Sequence, residues 1–178
     1  MTPLPPPLGS GALIFWRLDL AVHAAAWDSG EGSRLVGGRW NSRGVRAVYA
    51  ALDPATAILE LAVHKGFAAL DRVAHVLTSA RIVDPGAVRV VTAEDVPNPH
   101  WLHPGAIGAG QQAFGDALLR AHRFVLVPSV VSGHSWNVLF EPGAARGRYD
   151  AVRQEAFALD PRLHPSAGGR RQGGRATG

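Results

Sequence analysis

Apolar residues recur along this chain in short runs separated by glycine and proline. Leu13-Ile14-Phe15-Trp16-Arg17-Leu18 combines aromatic and β-branched side chains and predicts a first strand. Ala47 to Ala51 predicts a second. The intervening stretch from Asp28 to Gly38 is glycine-rich, which predicts a loop that turns sharply or approaches something closely. Asp53-Pro54 predicts a helix start, with Asp as N-cap and Pro at the first helical position. The run from Ala55 to His64 is apolar nearly all round, so this helix is expected to be buried, with Glu60 as its one interior charge. Val73 to Arg81 and Val88 to Val91 predict strands, with a turn at Asp84-Pro85-Gly86 between them. Pro97 to Gly110 reads as a loop. Gln111 to Arg120 reads as a helix with Ala113, Phe114, Ala117 and Leu118 on its apolar face. Phe124 to Ser129 predicts a strand stopped by proline, and Asn137 to Phe140 a shorter one. Short strands mixed with two or three main helices predict a single compact α+β domain over residues 12–160, with mixed short-stranded sheets. Residues 1–11 form a Pro-rich lead-in, and order is expected to end near Leu159.

Composition narrows the functional classes. The 178 residues include no cysteine, which excludes disulfides and thiolate metal sites and fits a cytoplasmic setting. The N-terminal stretch has no basic segment followed by an apolar core, so it does not read as a signal peptide, and no run is long enough for a membrane span. The net charge of +4 suggests a nucleic-acid partner until its location is considered. Residues 161–178 hold Arg162, Arg170, Arg171 and Arg175 and no acid; without them the 18 basic residues fall to 14, equal to the 14 acidic ones. The excess lies in a Gly/Arg-rich tail expected to be disordered, and the count shows no basic footprint on the body.

Several residues carry candidate chemistry. A carboxylate at Glu60 in an apolar helix is costly unless paired. It is either a structural ion pair with a core arginine or a catalytic group on a rigid helix. Arg17, on its strand, poses the same question and calls for Glu60 or a ligand phosphate. In Gly37-Gly38-Arg39-Trp40-Asn41 the glycines expose backbone N–H groups, Arg39 can grip a phosphate, Trp40 offers a flat face and Asn41 an amide. The block suits a nucleotide, or it is a tight turn with Trp40 packed in the core. Tyr49 can stack, donate its hydroxyl or simply pack. Ser129 follows a strand-ending proline and either lines a pocket or caps a turn; no G-x-S-x-G surrounds it. His100 and His103 lack a third metal ligand, and no metal is expected. Gly105-x-x-Gly108-x-Gly110 lacks the dinucleotide spacing. With Lys65 the only lysine there is no P-loop either.

Taken in order, Phe15-Trp16-Arg17-Leu18, Gly37-Gly38-Arg39-Trp40-Asn41, Val48-Tyr49, Ala57-Ile58-Leu59-Glu60 and Val127-Pro128-Ser129 resemble the RES-domain family, from about Phe15 to Leu159. Its members are toxins paired with Xre-type antitoxins. The resemblance implies a fold similar to diphtheria-type ADP-ribosyltransferases and NAD as substrate. It assigns catalytic roles to Glu60, Arg17 and Tyr49, and cofactor binding to Arg17, Gly38, Arg39, Trp40, Asn41, Tyr49 and Ser129. Ser42-Arg43-Gly44 stands where the family commonly has a proline. The implied activity is cleavage of NAD with transfer of ADP-ribose to a cellular protein; phosphate or water as acceptor gives a phosphorylase or a glycohydrolase. The implied partner is an antitoxin that occludes the site and through which the chain oligomerises. A ribonuclease or nucleic-acid-binding module is the reading from a different class. It lacks a basic face and a His/Lys/Glu constellation.

Overall fold

The computed structural model describes residues 12–101 and 107–160. His103, Gly105, the N-terminal lead-in and the Arg-rich tail lie outside them. Seven strands form one sheet: β1 (Leu13–Leu20), β2 (Val48–Ala51), β3 (His75–Ile82), β4 (Arg89–Val90), β5 (Val125–Pro128), β6 (Trp136–Phe140) and β7 (Tyr149–Phe157). Their order is β4-β5-β6-β2-β1-β3-β7, and every pair is antiparallel except β4 with β5. The helices are α1 (Glu31–Val36), α2 (Pro54–Lys65), α3 (Phe67–Arg72), α4 (Ala109–Ala121) and α5 (Pro142–Ala145). The expected α+β domain is borne out, with its strands gathered into one sheet. Among the described residues no helix is long and apolar enough to cross a membrane.

Strand alternation divides the core. Leu13, Phe15, Val48, Ala50, Val138 and Phe140 face one way and pack with Trp27 and Phe124. On the opposite face lie two separate clusters. One gathers Trp40, Trp101, Leu119, Val125 and Leu139 beneath α4. The other gathers Leu18, Ala62, Leu70, Leu77 and Leu159 beneath α2 and α3. Leu159, near the end of the described residues, packs into this cluster. Between the two halves, β1 and β2 pair at a single register position, Trp16 with Ala51, so the sheet parts beside it.

Four expectations are corrected. Asp28–Gly38 is not all loop: Glu31–Val36 forms a helical turn and a half, and the hydroxyl of Ser33 bonds to the carbonyls of Gly30 and Ala47. The helix α2 starts as expected, with Asp53 Oδ1 accepting from the Thr56 N–H. It is not wholly buried, however; Leu59 and Val63 are exposed, because only one side meets the sheet. The buried side of α4 is Gln111, Gly115, Asp116 and Leu119; of the expected face, Phe114 and Leu118 pack against the core at its edge, while Ala113 and Ala117 face solvent. Gly115 explains the choice: a Cβ there would lie 2.0 Å from the Trp40 carbonyl oxygen, so the helix crosses the loop backbone where it has no side chain. The strand β7 went unforeseen because it is an edge strand with mostly exposed residues and no apolar alternation.

Candidate functional site

Glu60 stands in the middle of α2, half-buried. It makes no ion pair among the described residues. Instead its Oε1 accepts two hydrogen bonds, from Ser129 Oγ at 3.0 Å and from Asn137 Nδ2 at 2.5 Å. Ser129 is fully buried at the end of β5, and its Oγ also accepts from the Ser132 N–H. Asn137 lies on β6 between Ala51 of β2 and Val127 of β5. One carboxylate oxygen is thus fixed from two strands, and the second, Oε2, makes no hydrogen bond to any described residue. A carboxylate held by one oxygen and open at the other can meet a positive charge or a hydroxyl without reorganising.

The Gly37–Asn41 block is built differently. Trp40 is 2% exposed and belongs to the cluster beneath α4. Asn41 is fully buried, and its Nδ2 donates to the carbonyls of Ser33, Ser42 and Val45. The Tyr49 hydroxyl donates to Asn41 Oδ1 at 2.6 Å and accepts from the Trp40 N–H at 3.0 Å. At Gly38 a Cβ would fall 2.4 Å from that hydroxyl, so only glycine fits. Gln112 Nε2 holds the Gly38 carbonyl, and Asp116 Oδ1 accepts from the Ser42 N–H. The side chains of Trp40 and Asn41 are therefore occupied in shaping the loop, as in the core-packed alternative.

The two arginines also separate. Arg17 bonds Asp19 with both Nε and Nη2, at 2.7 and 2.6 Å, and its Nη1 donates to the Tyr49 carbonyl at 2.7 Å. It bridges the place where β1 and β2 part, and its charge is met by Asp19 rather than Glu60. Arg39 is half-buried and spends one Nη1 bond on the Trp101 carbonyl, at 2.6 Å.

Tyr49 is the junction. Burial pushes its hydroxyl well above the usual tyrosine range; the Trp40 N–H and Arg39 pull it down, while Asp116 and Glu60 push it further up. Tyr49 thus lies within electrostatic reach of both Arg39 and Glu60. Composition missed two residues. Asn137 carried no signal beyond membership of a strand, because a lone polar residue in an apolar run has many uses. Asp19 lay just past the predicted first strand, Leu13 to Leu18, and drew no notice; the observed β1 runs on to Leu20 and includes it. A hollow of about 350 Å³ opens beside this cluster, lined by Asp53, Thr56, Leu59, Ser132, His134 and Ser135 among others. Elsewhere Arg120, Arg123, Arg146 and Arg148 line a second hollow, so the charge-neutral body carries a local basic patch that counting could not reveal.

The sequence model of the RES domain matches residues 14–160. The chain belongs to the RES domain family. It is 32% identical over 163 residues to the Prs ADP-ribosylating toxin of Sphingobium sp., covering 84% of this chain and 95% of that protein. It is 30% identical over 155 residues to Toxin Res of Pseudomonas putida, covering 85% and 99%. Toxin Res of Photorhabdus laumondii is 27% identical over 158 residues, covering 85% and 97%. Among solved structures the fold is shared with a chain of the M. tuberculosis MbcT-MbcA toxin-antitoxin complex. The TM-score is 0.67 at 24% identity, covering 83% of this chain and 85% of that one.

Proposed function

We propose that this RES-domain protein is the toxin of a toxin–antitoxin pair and an enzyme that breaks the nicotinamide–ribose bond of NAD and transfers ADP-ribose to a cellular protein. The observation that carries this reading is Glu60, fixed through Oε1 by Ser129 and Asn137 while Oε2 bonds to none of the described residues. As the C1′–N bond breaks, nicotinamide leaves with the electron pair and the ribose develops oxocarbenium character. A preorganised carboxylate favours that charge more in the transition state than in the ground state. The acceptor then bonds to C1′ and gives up its proton. The names of the relatives, one an ADP-ribosylating toxin, agree with this chemistry.

Roles for the remaining residues follow from their bonding. Arg39 keeps guanidinium N–H groups beyond its bond to Trp101, and in this reading it holds the pyrophosphate. Arg17 braces the parted strands through Tyr49, and reaches a phosphate only by leaving Asp19. Gly38, Trp40 and Asn41 set the loop that carries Arg39. An antitoxin would silence the enzyme by covering the cleft at Glu60, in a cytoplasmic complex. Incubation with NAD, followed by chromatography for free nicotinamide, tests the reading. Turnover is expected in the wild type and a loss of about a thousandfold in Glu60→Gln, in line with removal of one preorganised charge-stabilising group. Unchanged turnover in that variant overturns it. Labelled NAD then separates the acceptors: label on protein supports the transferase, and ADP-ribose 1″-phosphate or free ADP-ribose replaces it with a phosphorylase or a glycohydrolase.

A further inference from the structure

Three buried side-chain atoms among the described residues lack a hydrogen-bond partner: His75 Nδ1, Gln111 Nε2 and Asn137 Oδ1. Only the last belongs to a residue bonded to Glu60. Its orientation is dictated by charge. The amide must turn Nδ2 to the Glu60 carboxylate, since the reverse would set oxygen against oxygen, and this leaves Oδ1 as a fixed acceptor with nothing to accept. Asn137 is 9% exposed, so the unmet acceptor is a buried one.

The cross-strand neighbours of Asn137 are apolar. Ala51 and Val127 stand directly across from Asn137 on the two neighbouring strands. Leu139 is two residues along on the same face, opposite Tyr49. These three side chains are themselves buried and supply no donor, so a partner for Oδ1 must come from outside the fold; on the NAD-cleaving reading, the group next to the bond broken at Glu60 that carries an amide N–H donor is the nicotinamide carboxamide.

We propose that Asn137 recognises the carboxamide of the nicotinamide ring, with Oδ1 accepting from the amide N–H2 while Nδ2 holds Glu60. The inference rests on the NAD-cleaving reading and adds to it a substrate-specifying residue. One side chain then fixes the leaving group and the charge-stabilising carboxylate relative to each other. A site built around a buried acceptor rejects an analogue that lacks the donor, because the acceptor stays unpaired in that complex.

The test compares NAD with its 3-acetylpyridine analogue, in which a methyl ketone replaces the carboxamide and no N–H remains. The two leaving groups differ intrinsically, but that difference is common to every enzyme form and cancels between variants. The wild type is expected to prefer NAD, and Asn137→Ala to reduce that preference by about tenfold or more in kcat/KM, the scale set by a lost hydrogen bond in a buried site. Asn137→Asp keeps an acceptor and loses the donor to Glu60. It is expected to retain the preference for NAD while kcat falls, and it carries the test alone if the alanine variant fails to fold. A preference left intact by Asn137→Ala, or abolished by Asn137→Asp, overturns the inference and leaves the proposed function standing. A wild type that releases no nicotinamide from NAD overturns both.

Discussion

The Gly37–Asn41 loop and the Glu60 cluster lie on the same side of the sheet and are both dense in polar groups, yet their hydrogen bonds run in opposite senses. In the loop the bonds turn inward. All three acceptors of the Asn41 amide are backbone carbonyls, Tyr49 closes the turn from beneath, and Gln112 and Asp116 tie it to α4. Around Glu60 the bonds stop short. Among the described residues, neither Glu60 Oε2 nor Asn137 Oδ1 finds a hydrogen-bond partner. The loop is a satisfied scaffold, and the Glu60 cluster is an unfinished one, as the proposed binding of NAD requires. Buried polar groups stabilise a fold when all of them are paired; an unpaired one calls for a reason, and beside Glu60 the proposed substrate supplies it.

This contrast predicts that substitutions in the loop act through stability and those around Glu60 through turnover. The largest effect is expected at Gly115→Ala. Its Cβ would meet the Trp40 carbonyl at 2.0 Å, so α4 or the loop must move. A loss of about 3 kcal/mol, the upper range for overpacking, should be visible in urea unfolding. Tyr49→Phe comes next. It leaves Asn41 Oδ1 and the Trp40 N–H unpaired in the core, at a cost of about 2 kcal/mol. A stability equal to wild type would show that the loop does not depend on this bond. Ser129→Ala should reverse the pattern. Asn137 still holds Glu60, so stability falls by only about 1 kcal/mol. Nicotinamide release should drop by about tenfold or more as the carboxylate loses one of its two anchors. An unaltered rate would move Ser129 from the site to the scaffold.

The smallest effect concerns acid. Burial pushes the Asp53 carboxyl up, but the Ser135 hydroxyl and the N–H and hydroxyl of Thr56 outweigh it, holding the group below its ordinary range. A depressed carboxylate stabilises the fold above its unfolded value, near pH 4, and that contribution disappears as pH falls through the folded value. Asp53→Asn should therefore lose stability at pH 7 and show a smaller further loss at pH 3 than the wild type. Urea midpoints at the two pH values measure this. Equal acid sensitivity would mean that the N-cap of α2 does not contribute to it.

Much of this was legible in the linear chain where local rules decide. Asp53-Pro54 announced α2, the apolar runs placed β1, β2, β5 and β6, and the order of Arg17, Arg39, Tyr49, Glu60 and Ser129 resembled the family to which the chain belongs. What failed was local chemistry with a distant cause. Ala113 and Ala117 looked like the buried face of α4, but the fold uses Gly115 and Asp116 there because the Trp40 backbone passes close by. Trp40 and Asn41 fitted a ligand loop and a packed turn equally well, since composition cannot say where a side chain points.

The sequence by itself determined β1 to β6, α2 and α4, the α+β class and the family, because periodicity, capping and motif order are properties of neighbours along the chain. Tertiary structure alone decided the partners. Arg17 had two candidate anions and took a third, Asp19, two residues along its own strand. Glu60 had a candidate arginine and took a serine and an asparagine from β5 and β6, 69 and 77 residues away. Pairing of buried charge is settled by which strands lie side by side. The groups on Glu60 and Asn137 that pair with no described residue become visible only when the strands have met.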